Sequence, residues 1–419
     1  MTIGVLIFTN KAKERNYNKK DIYDNKKNFG LNKILSQLNY EYEYCSTVNM
    51  NKYKHIIVSI TSYYDILNLV KNISKERNSK IHIGGPGVNN IRGFLPFIDT
   101  AWFGRCDHGE INGIINGDNY KSLWRKKDDQ KFEGIYYVSK PTLDGLGYEG
   151  EEETSVGCRQ KCKFCHYSWW NGYIEDDEKS YKSGFTSYED FFQAIKWERG
   201  RVITALDGMT EETRKRISKP ISYEKIKEKI LETNKIINRD KNITAKIYSV
   251  IGYPWESRNE LEKCDIAKVL KEIEGKINNK LLFYFHLSHF IPMQKTPLWY
   301  VKFNWSNYRK EAKKKPMLYS TDKIKLYTGT ATTSPSSAAE QTIIQRSSNN
   351  DHEIIRLLAT NKWQAQASVK KEHILRNELP RFFTEQKKET ISNIITPWSN
   401  YNKQYTSNKS EWWSKERGY

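Results

Sequence analysis

The sequence predicts an α/β protein: an N-terminal doubly wound parallel sheet, then a full or partial βα barrel, then a basic, mainly helical C-terminal region. Three observations carry that expectation. Short apolar runs alternate with helical patterns over the first 120 residues, the alternation resumes between 151 and 300, and most of the excess positive charge lies beyond 300. A length of 419 residues suits two or three domains, and 37% hydrophobic residues supply enough apolar material for sizeable cores.

The first alternation opens with Ile3–Phe8, a six-residue apolar run followed by Lys11, Lys13 and Arg15. It is too short for a signal-peptide core and no cleavage site follows it, so it reads as a buried strand. Phe29–Leu38 carries helical spacing, His55–Ile60 is a second buried strand, and a helix follows near Asp65–Ile73. Lys80–Ile83 runs into Gly84-Gly85-Pro86-Gly87, and Thr100–Phe103 reads as one more short strand. Apolar strands alternating with helices imply βαβ crossovers and a parallel sheet. The glycine run lacks both the Lys-Ser/Thr ending and the G-x-G-x-x-G spacing of a phosphate loop, so a tight turn is the plainer expectation.

Residues 1–120 thus form the first domain, and the polar, Lys/Asp-rich stretch 121–150 is a linker. The second unit, 151–300, contains Arg201–Leu206 as a strand, Ile221–Ile237 as a helix and Ala245–Ile251 as a strand. Asn259–Ile273 is its next helix, and Leu281–Phe285 an aromatic strand. The Ser/Thr-rich stretch 328–350 reads as a flexible linker inside the region 301–419. No apolar run approaches the ~18 residues of a membrane span, so a cytoplasmic location without membrane contact is expected.

The chain holds 69 Lys and Arg against 50 Asp and Glu, a net charge of +19, of which +10 falls in 301–419. Such a balance attracts polyanions by releasing their counterions, so nucleic acid or a nucleotide stands level with a merely solvated surface as the reading of the charge. Trp363, Trp398, Trp412 and Trp413 in the same region could stack bases, while the Lys310–Lys315 run reads first as a solvated face and second as a phosphate-contacting strip. Trp169-Trp170 is either apolar filling at a pocket edge or a stacking platform.

Three of the six cysteines, Cys158, Cys162 and Cys165, fall within eight residues in the spacing C-x3-C-x2-C. In a reducing compartment a tight cluster of thiols points to metal or catalysis and not to disulfides. Three thiolates on one loop can hold three irons of a 4Fe–4S cluster, leaving the fourth iron open to a ligand. Arg159, Lys161 and Lys163 would favour thiolates and an anionic cluster. Zinc is a rival, with His166 as the nearest fourth ligand. Cys162-Lys163-Phe164-Cys165-His166 also fits the c-type haem attachment pattern, and three structural cysteines are the remaining alternative.

This spacing and its setting resemble the radical S-adenosylmethionine (SAM) superfamily. The resemblance implies a fold of N-terminal doubly wound sheet, βα barrel of the radical SAM type and helical C-terminal region. It implies that Cys158, Cys162 and Cys165 ligate a 4Fe–4S cluster whose open iron chelates SAM. Reductive cleavage, driven by an electron donor such as flavodoxin or ferredoxin, would then yield a 5′-deoxyadenosyl radical that abstracts hydrogen from a C–H bond. By the same resemblance Phe164 lies against adenine, Ile251, Gly252 and Pro254 of the Ile-Gly-Tyr-Pro-Trp-Glu turn line the adenine site, and Asp207 approaches the ribose. Phe290–Leu298 resembles the late-barrel loop ending in Thr-Pro-Leu. Residues 1–120, with Gly84-Gly85-Pro86, resemble the cobalamin-binding-type domain of one branch.

Two departures follow. The Asp-x-His-x-x-Gly motif that supplies the lower cobalt ligand is missing, since Asp107-His108-Gly109 has another spacing. The domain then either keeps the fold without the cofactor, so that tight cobalamin binding is not expected, or binds cobalamin without a His ligand. Only 35 residues separate Cys165 from Arg201, so the barrel should be shortened, and no Gly-Gly-Glu-type motif for the SAM amino group is visible. The favoured substrate is a nucleic-acid base or nucleotide. The alternatives are a peptide or small metabolite, modified by methyl transfer or rearrangement, or a non-catalytic nucleic-acid-binding protein that kept the fold. His286 and His289, three apart, could share a helical face or line a barrel mouth, but a satisfied role in the core or in support of the site is the plainer expectation.

Overall fold

A computed structural model describes residues 1–8, 29–74, 76–127, 155–157, 162–167, 173–175, 201–219, 221–236, 243–256, 263–278, 280–294, 296–305, 317–328 and 334–386. Cys158, Trp169, Trp170, Trp398, Trp412, Trp413 and Lys310–Lys315 lie outside those residues, as does most of the 121–150 stretch. Two sheets organise the protein, both dominated by parallel strands, in a mixed α/β fold.

The N-terminal elements are β1 (Ile3–Ile7), α1 (Phe29–Ser36), β2 (Tyr42–Cys45), β3 (His55–Ser59), α2 (Tyr63–Asn72), β4 (Lys80–Gly84), β5 (Thr100–Trp102), α3 (Glu110–Asn116) and β6 (Leu123–Arg125). Their sheet has the order β2-β1-β3-β4-β5-β6, parallel throughout except for β6, which runs antiparallel to β5. The order reverses between β1 and β3, the switch point at which open α/β sheets form their ligand crevice. β1 and β3 are continuous apolar runs because both faces of a parallel sheet are covered. Leu31 and Leu35 of α1 with Ile111, Ile114 and Ile115 of α3 cover one face. Ile66, Leu69 and Val70 of α2, with the 3-10 turn Arg92–Phe97, cover the other. β2 escaped the sequence pattern because it is a half-exposed edge strand, Tyr-Glu-Tyr-Cys.

Further along the chain come β7 (Ser155–Gly157), β8 (Tyr173–Glu175), β9 (Arg201–Ala205), α4 (Glu211–Arg216), α5 (Tyr223–Ile236), β10 (Ile243–Ile251), α6 (Asp265–Ile273), β11 (Leu281–His289), β12 (Met317–Ser320) and β13 (Ile324–Thr328). β9, β10, β11 and β13 are parallel neighbours, and β12 closes the order β12-β13-β11-β10-β9 in antiparallel sense. Among the described residues this is an open five-stranded sheet. Among the described residues β7 pairs with β8 alone, in a separate two-stranded ladder and not in the larger sheet. One sheet face buries Ala245, Ile247, Phe283, Phe285 and Leu326 against Ile226 and Ile230 of α5 and Ile266, Val269 and Leu270 of α6.

The C-terminal elements are α7 (Pro335–Arg346), α8 (His352–Ala359), α9 (Asn361–Gln364) and α10 (Ser368–Glu378). The flexible linker expected over 328–350 is corrected here. Ser334 caps α7 by accepting from the Ser337 amide, with Pro335 at the first helical position. Ala338, Ala339, Ile343 and Ile344 of α7 are buried in the same core as α2, joined by Ile355 and Leu358 of α8. The small and hydroxyl side chains that suggest a loop are here what lets α7 pack closely. Asn90, fully buried, donates to the carbonyls of Ile344 (2.9 Å) and Ser347 (2.9 Å), pinning the C-terminal helices to the N-terminal sheet.

Candidate functional site

The chain turns tightly at Cys162-Lys163-Phe164-Cys165, where the Cys165 amide donates to the Cys162 carbonyl at 3.0 Å. That i→i+3 turn puts two thiols on one short loop, Cys162 buried and Cys165 half-buried. Backbone hydrogen bonds hold the loop on both sides. The Lys163 amide donates to the Ile217 carbonyl after α4 (2.9 Å), and the Leu298 amide donates to the Lys163 carbonyl (3.2 Å). The Thr-Pro-Leu segment and the cysteine loop therefore meet. Among the described residues no group of three or more His, Cys, Asp or Glu side chains forms a metal site; the third cysteine of the motif, Cys158, lies outside them. Two soft thiols on one tight turn are donors of the kind an iron–sulfur cluster takes, and supply two of the positions it needs.

Phe164 meets Tyr253 edge to face, ring centroids 6.2 Å apart, in a small apolar cluster with Ile217, Val250, Trp255 and Leu298. Tyr253 belongs to the Ile251–Glu256 turn, and Glu256 organises that turn: its carboxylate accepts from the Gly252 amide (2.7 Å) and the Tyr253 amide (3.1 Å). Asn304 donates to the Tyr253 carbonyl at 2.8 Å. Gly252 has φ +84°, a conformation in which a Cβ is strained. Ile251 is buried and Pro254 half-buried beside it.

Asp207 stands at the end of β9 with φ +56°, unusual for a residue with a side chain. Its carbonyl accepts from the Tyr253 hydroxyl at 2.9 Å, which ties the β9 end to the β10 turn. Its carboxylate pairs with Lys219, a residue the sequence motifs did not single out. The β9 end is also anchored by Arg214, fully buried, which donates to the Gly208 carbonyl (3.1 Å), the Ile221 carbonyl (2.7 Å) and the Asp265 carboxylate (2.7 Å). The structure thus brings Phe164, Asp207, Ile251, Gly252 and Pro254 to one end of the larger sheet.

His286 and His289 do not share a helical face. Both lie on β11, where successive side chains alternate, so residues three apart point to opposite faces. His289 is buried, its Nδ1 faces the Phe290 carbonyl at 3.0 Å, its ring stacks on Phe303, and burial brings its pKa down to about 4.

Trp363 is likewise corrected. It is buried in the shared core and its Nε1 donates to Glu340 at 2.8 Å, so it has no face to offer a base.

A cavity of about 280 Å³ opens above the ends of β3, β4 and β5. Gly84, Gly85 and Pro86 line it, Gly85 at φ +106°, together with Trp102, Arg105, Asp107 and His82. Tyr167, two residues beyond Cys165, is also in its wall, so the cavity joins the N-terminal sheet to the cysteine loop. Asp107 pairs with Lys33 (3.6 Å) and Arg105 (3.1 Å) at its edge.

No protein-family model matches the sequence, and no curated protein matches it. Solved structures do. One is the radical S-adenosylmethionine methyltransferase TsrM from Kitasatospora setae with cobalamin and a 4Fe–4S cluster bound: TM-score 0.42, 11% identity, 71% of this chain and 76% of that one. The same enzyme with tryptophan substrate and a SAM analogue gives 0.40, 10% identity, and 71% and 75% coverage. The cobalamin-dependent S-adenosylmethionine radical enzyme OxsB with aqua-cobalamin gives 0.28 and 11%, over 85% of this chain and 56% of that chain.

Proposed function

We propose that this protein is a radical SAM enzyme that modifies a C–H bond of a nucleic-acid base or nucleotide. The observation that carries it is the Cys162–Cys165 turn, held by backbone bonds to Ile217 and Leu298 against the Gly252 turn. On this proposal Cys158, Cys162 and Cys165 hold a 4Fe–4S cluster, which when bound supplies the electron that cleaves SAM to a hydrogen-abstracting 5′-deoxyadenosyl radical. The chain's own residues bind and orient. Phe164, Ile251, Gly252 and Pro254 take the adenine, on a turn whose shape Glu256 holds by accepting from the Gly252 and Tyr253 amides. Asp207, kept in place by Lys219, faces the ribose hydroxyls. The net charge of +19 supports a polyanionic substrate.

Cobalamin has no assigned role. His82 lines the cavity, but both its ring nitrogens are engaged, Nε2 with His55 (2.9 Å) and Nδ1 with Thr100 (2.8 Å), so it is not free to ligate cobalt. The test is anaerobic reconstitution of the full chain with iron and sulfide. One 4Fe–4S cluster per chain and 5′-deoxyadenosine formation with a strong reductant are expected, both lost when the three cysteines become alanine. One equivalent of zinc with no iron would overturn the proposal.

A further inference from the structure

A parallel sheet is ordinarily apolar on both faces because helices cover both. The larger sheet departs from this. While one face of β10 and β11 buries Ala245, Ile247, Phe283, Phe285 and Leu287, the other carries Thr244, Lys246 and Tyr248 on β10 and Tyr284, His286 and Ser288 on β11. β13 continues it with Lys325 and Tyr327. These side chains are half-buried or exposed, Tyr248 and Lys325 the most open. In the paired registers Lys246 lies beside Tyr284, Tyr284 beside Tyr327, and Tyr248 beside His286.

The rings form two steps. Tyr284 and Tyr327 stack at 5.5 Å with 17° between planes; Tyr248 and His286 meet at 5.3 Å, and the Lys246 ammonium sits 5.0 Å from the Tyr248 ring. Tyr284 and His286 are two residues apart on one strand, so the steps are about 6.6 Å apart along the sheet. Two residues beyond Tyr248, and next on the same face, is Val250, which packs in the cluster that holds Phe164. The ladder therefore leads to the cysteine loop. No acidic residue stands on this face among the described residues of β10, β11 and β13.

We propose that this face is the substrate platform, and that its occupant is a single-stranded nucleic acid whose consecutive bases stack on the Tyr284/Tyr327 and Tyr248/His286 steps. Lys246 and Lys325 meet its phosphates. Aromatic steps with interleaved lysines are the arrangement that binds unpaired strands without sequence readout. Two steps in succession favour a strand over one free nucleotide. The proposal deepens the radical SAM reading and rests on it for the chemistry, although binding itself is separable.

The test uses the full chain without reductant or SAM, and a fluorescein-labelled oligothymidylate of about 12 nucleotides read by anisotropy. Tyr284→Leu with Tyr327→Leu should weaken binding at least tenfold. Tyr284→Phe with Tyr327→Phe, which keeps the rings, should restore it, separating stacking from folding. Lys246→Gln and Lys325→Gln should each lower the log–log salt slope by about 0.7. Wild-type protein that fails to bind the oligonucleotide, leucine variants that bind like wild type, or thymidine monophosphate that competes as well as the strand would each overturn the proposal. Loss of binding in the leucine variants of a protein that never cleaves SAM would sink the enzymatic proposal and leave the platform standing. SAM cleavage without strand binding would do the reverse.

Discussion

His289 lies directly beneath Gly252: a Cβ added at that glycine would stand 2.7 Å from both Cε1 and Nε2 of the imidazole. The turn at the head of β10 is thus shaped by a buried ring at the end of β11, the neighbouring strand.

Gly252→Ala should be destabilising by about 2–4 kcal/mol, combining the left-handed backbone at φ +84° with the steric clash. Equilibrium urea unfolding measures it. Combining it with His289→Ala should recover the clash but not the backbone strain, giving a coupling energy of the sign that marks direct contact. Additive effects would mean that the ring and the glycine do not meet.

Stability should fall on acidification because of the buried His55–His82 pair. Burial, with His55, Arg125 and Lys80 nearby, lowers the His82 pKa from 6.5 to about 3, and burial also lowers that of His55. A histidine whose folded pKa is depressed binds fewer protons folded than unfolded, so its contribution is complete above about 6.5 and is lost as pH drops from there towards 3. Thermal midpoints at pH 7.5, 6 and 5 should decline. His82→Gln should start lower but decline less; an unchanged slope would contradict the assignment.

Arg346 holds three segments together through carbonyls alone. It donates to Phe382 (2.8 Å) and Thr384 (2.9 Å) with Nη1, and to Trp299 (2.8 Å) and Val301 (2.6 Å) with Nη2. Arg346→Ala should cost about 3–5 kcal/mol, since it leaves partly buried acceptors unpaired. Arg346→Lys should rescue little, because one ammonium cannot reproduce the planar fork. Denaturation midpoints check both, and a near-neutral Arg346→Lys would refute the geometry.

Cob(II)alamin mixed with the protein should show no nitrogen splitting from a protein histidine in its electron paramagnetic resonance spectrum, because His82 is engaged at both nitrogens. A histidine-split signal that vanishes in His82→Gln would overturn this.

Local patterns sufficed for much of the molecule. The runs Ile3–Ile7 and His55–Ser59 are strands because β-branched residues in short, largely apolar stretches suit a sheet covered on both faces, and Ile243–Ile251 is one because β-branched residues alternate with polar ones. The C-x3-C-x2-C spacing and the Gly-Tyr-Pro-Trp-Glu turn were legible because each is a contiguous motif whose chemistry is carried by a few adjacent residues. β2 was not, since an exposed edge strand needs no hydrophobic alternation.

The sequence by itself determined the main apolar strands and helices of the two alternating regions and located the cysteine and strand-end motifs, all of which depend on neighbours within a few residues. Only the tertiary structure decided what those elements face. It turned the Ser-rich stretch before 350 into α7, buried against α2 from the other end of the chain. It withdrew Trp363 into the core by giving its indole Glu340 as a partner, and it matched Asp207 with Lys219. It also separated His286 from His289 onto opposite sheet faces, leaving the first among tyrosines and the second under Gly252. The reason is physical: burial and pairing belong to contacts between residues distant in the chain, and a one-dimensional pattern records which side chains can be buried but not which partner will bury them.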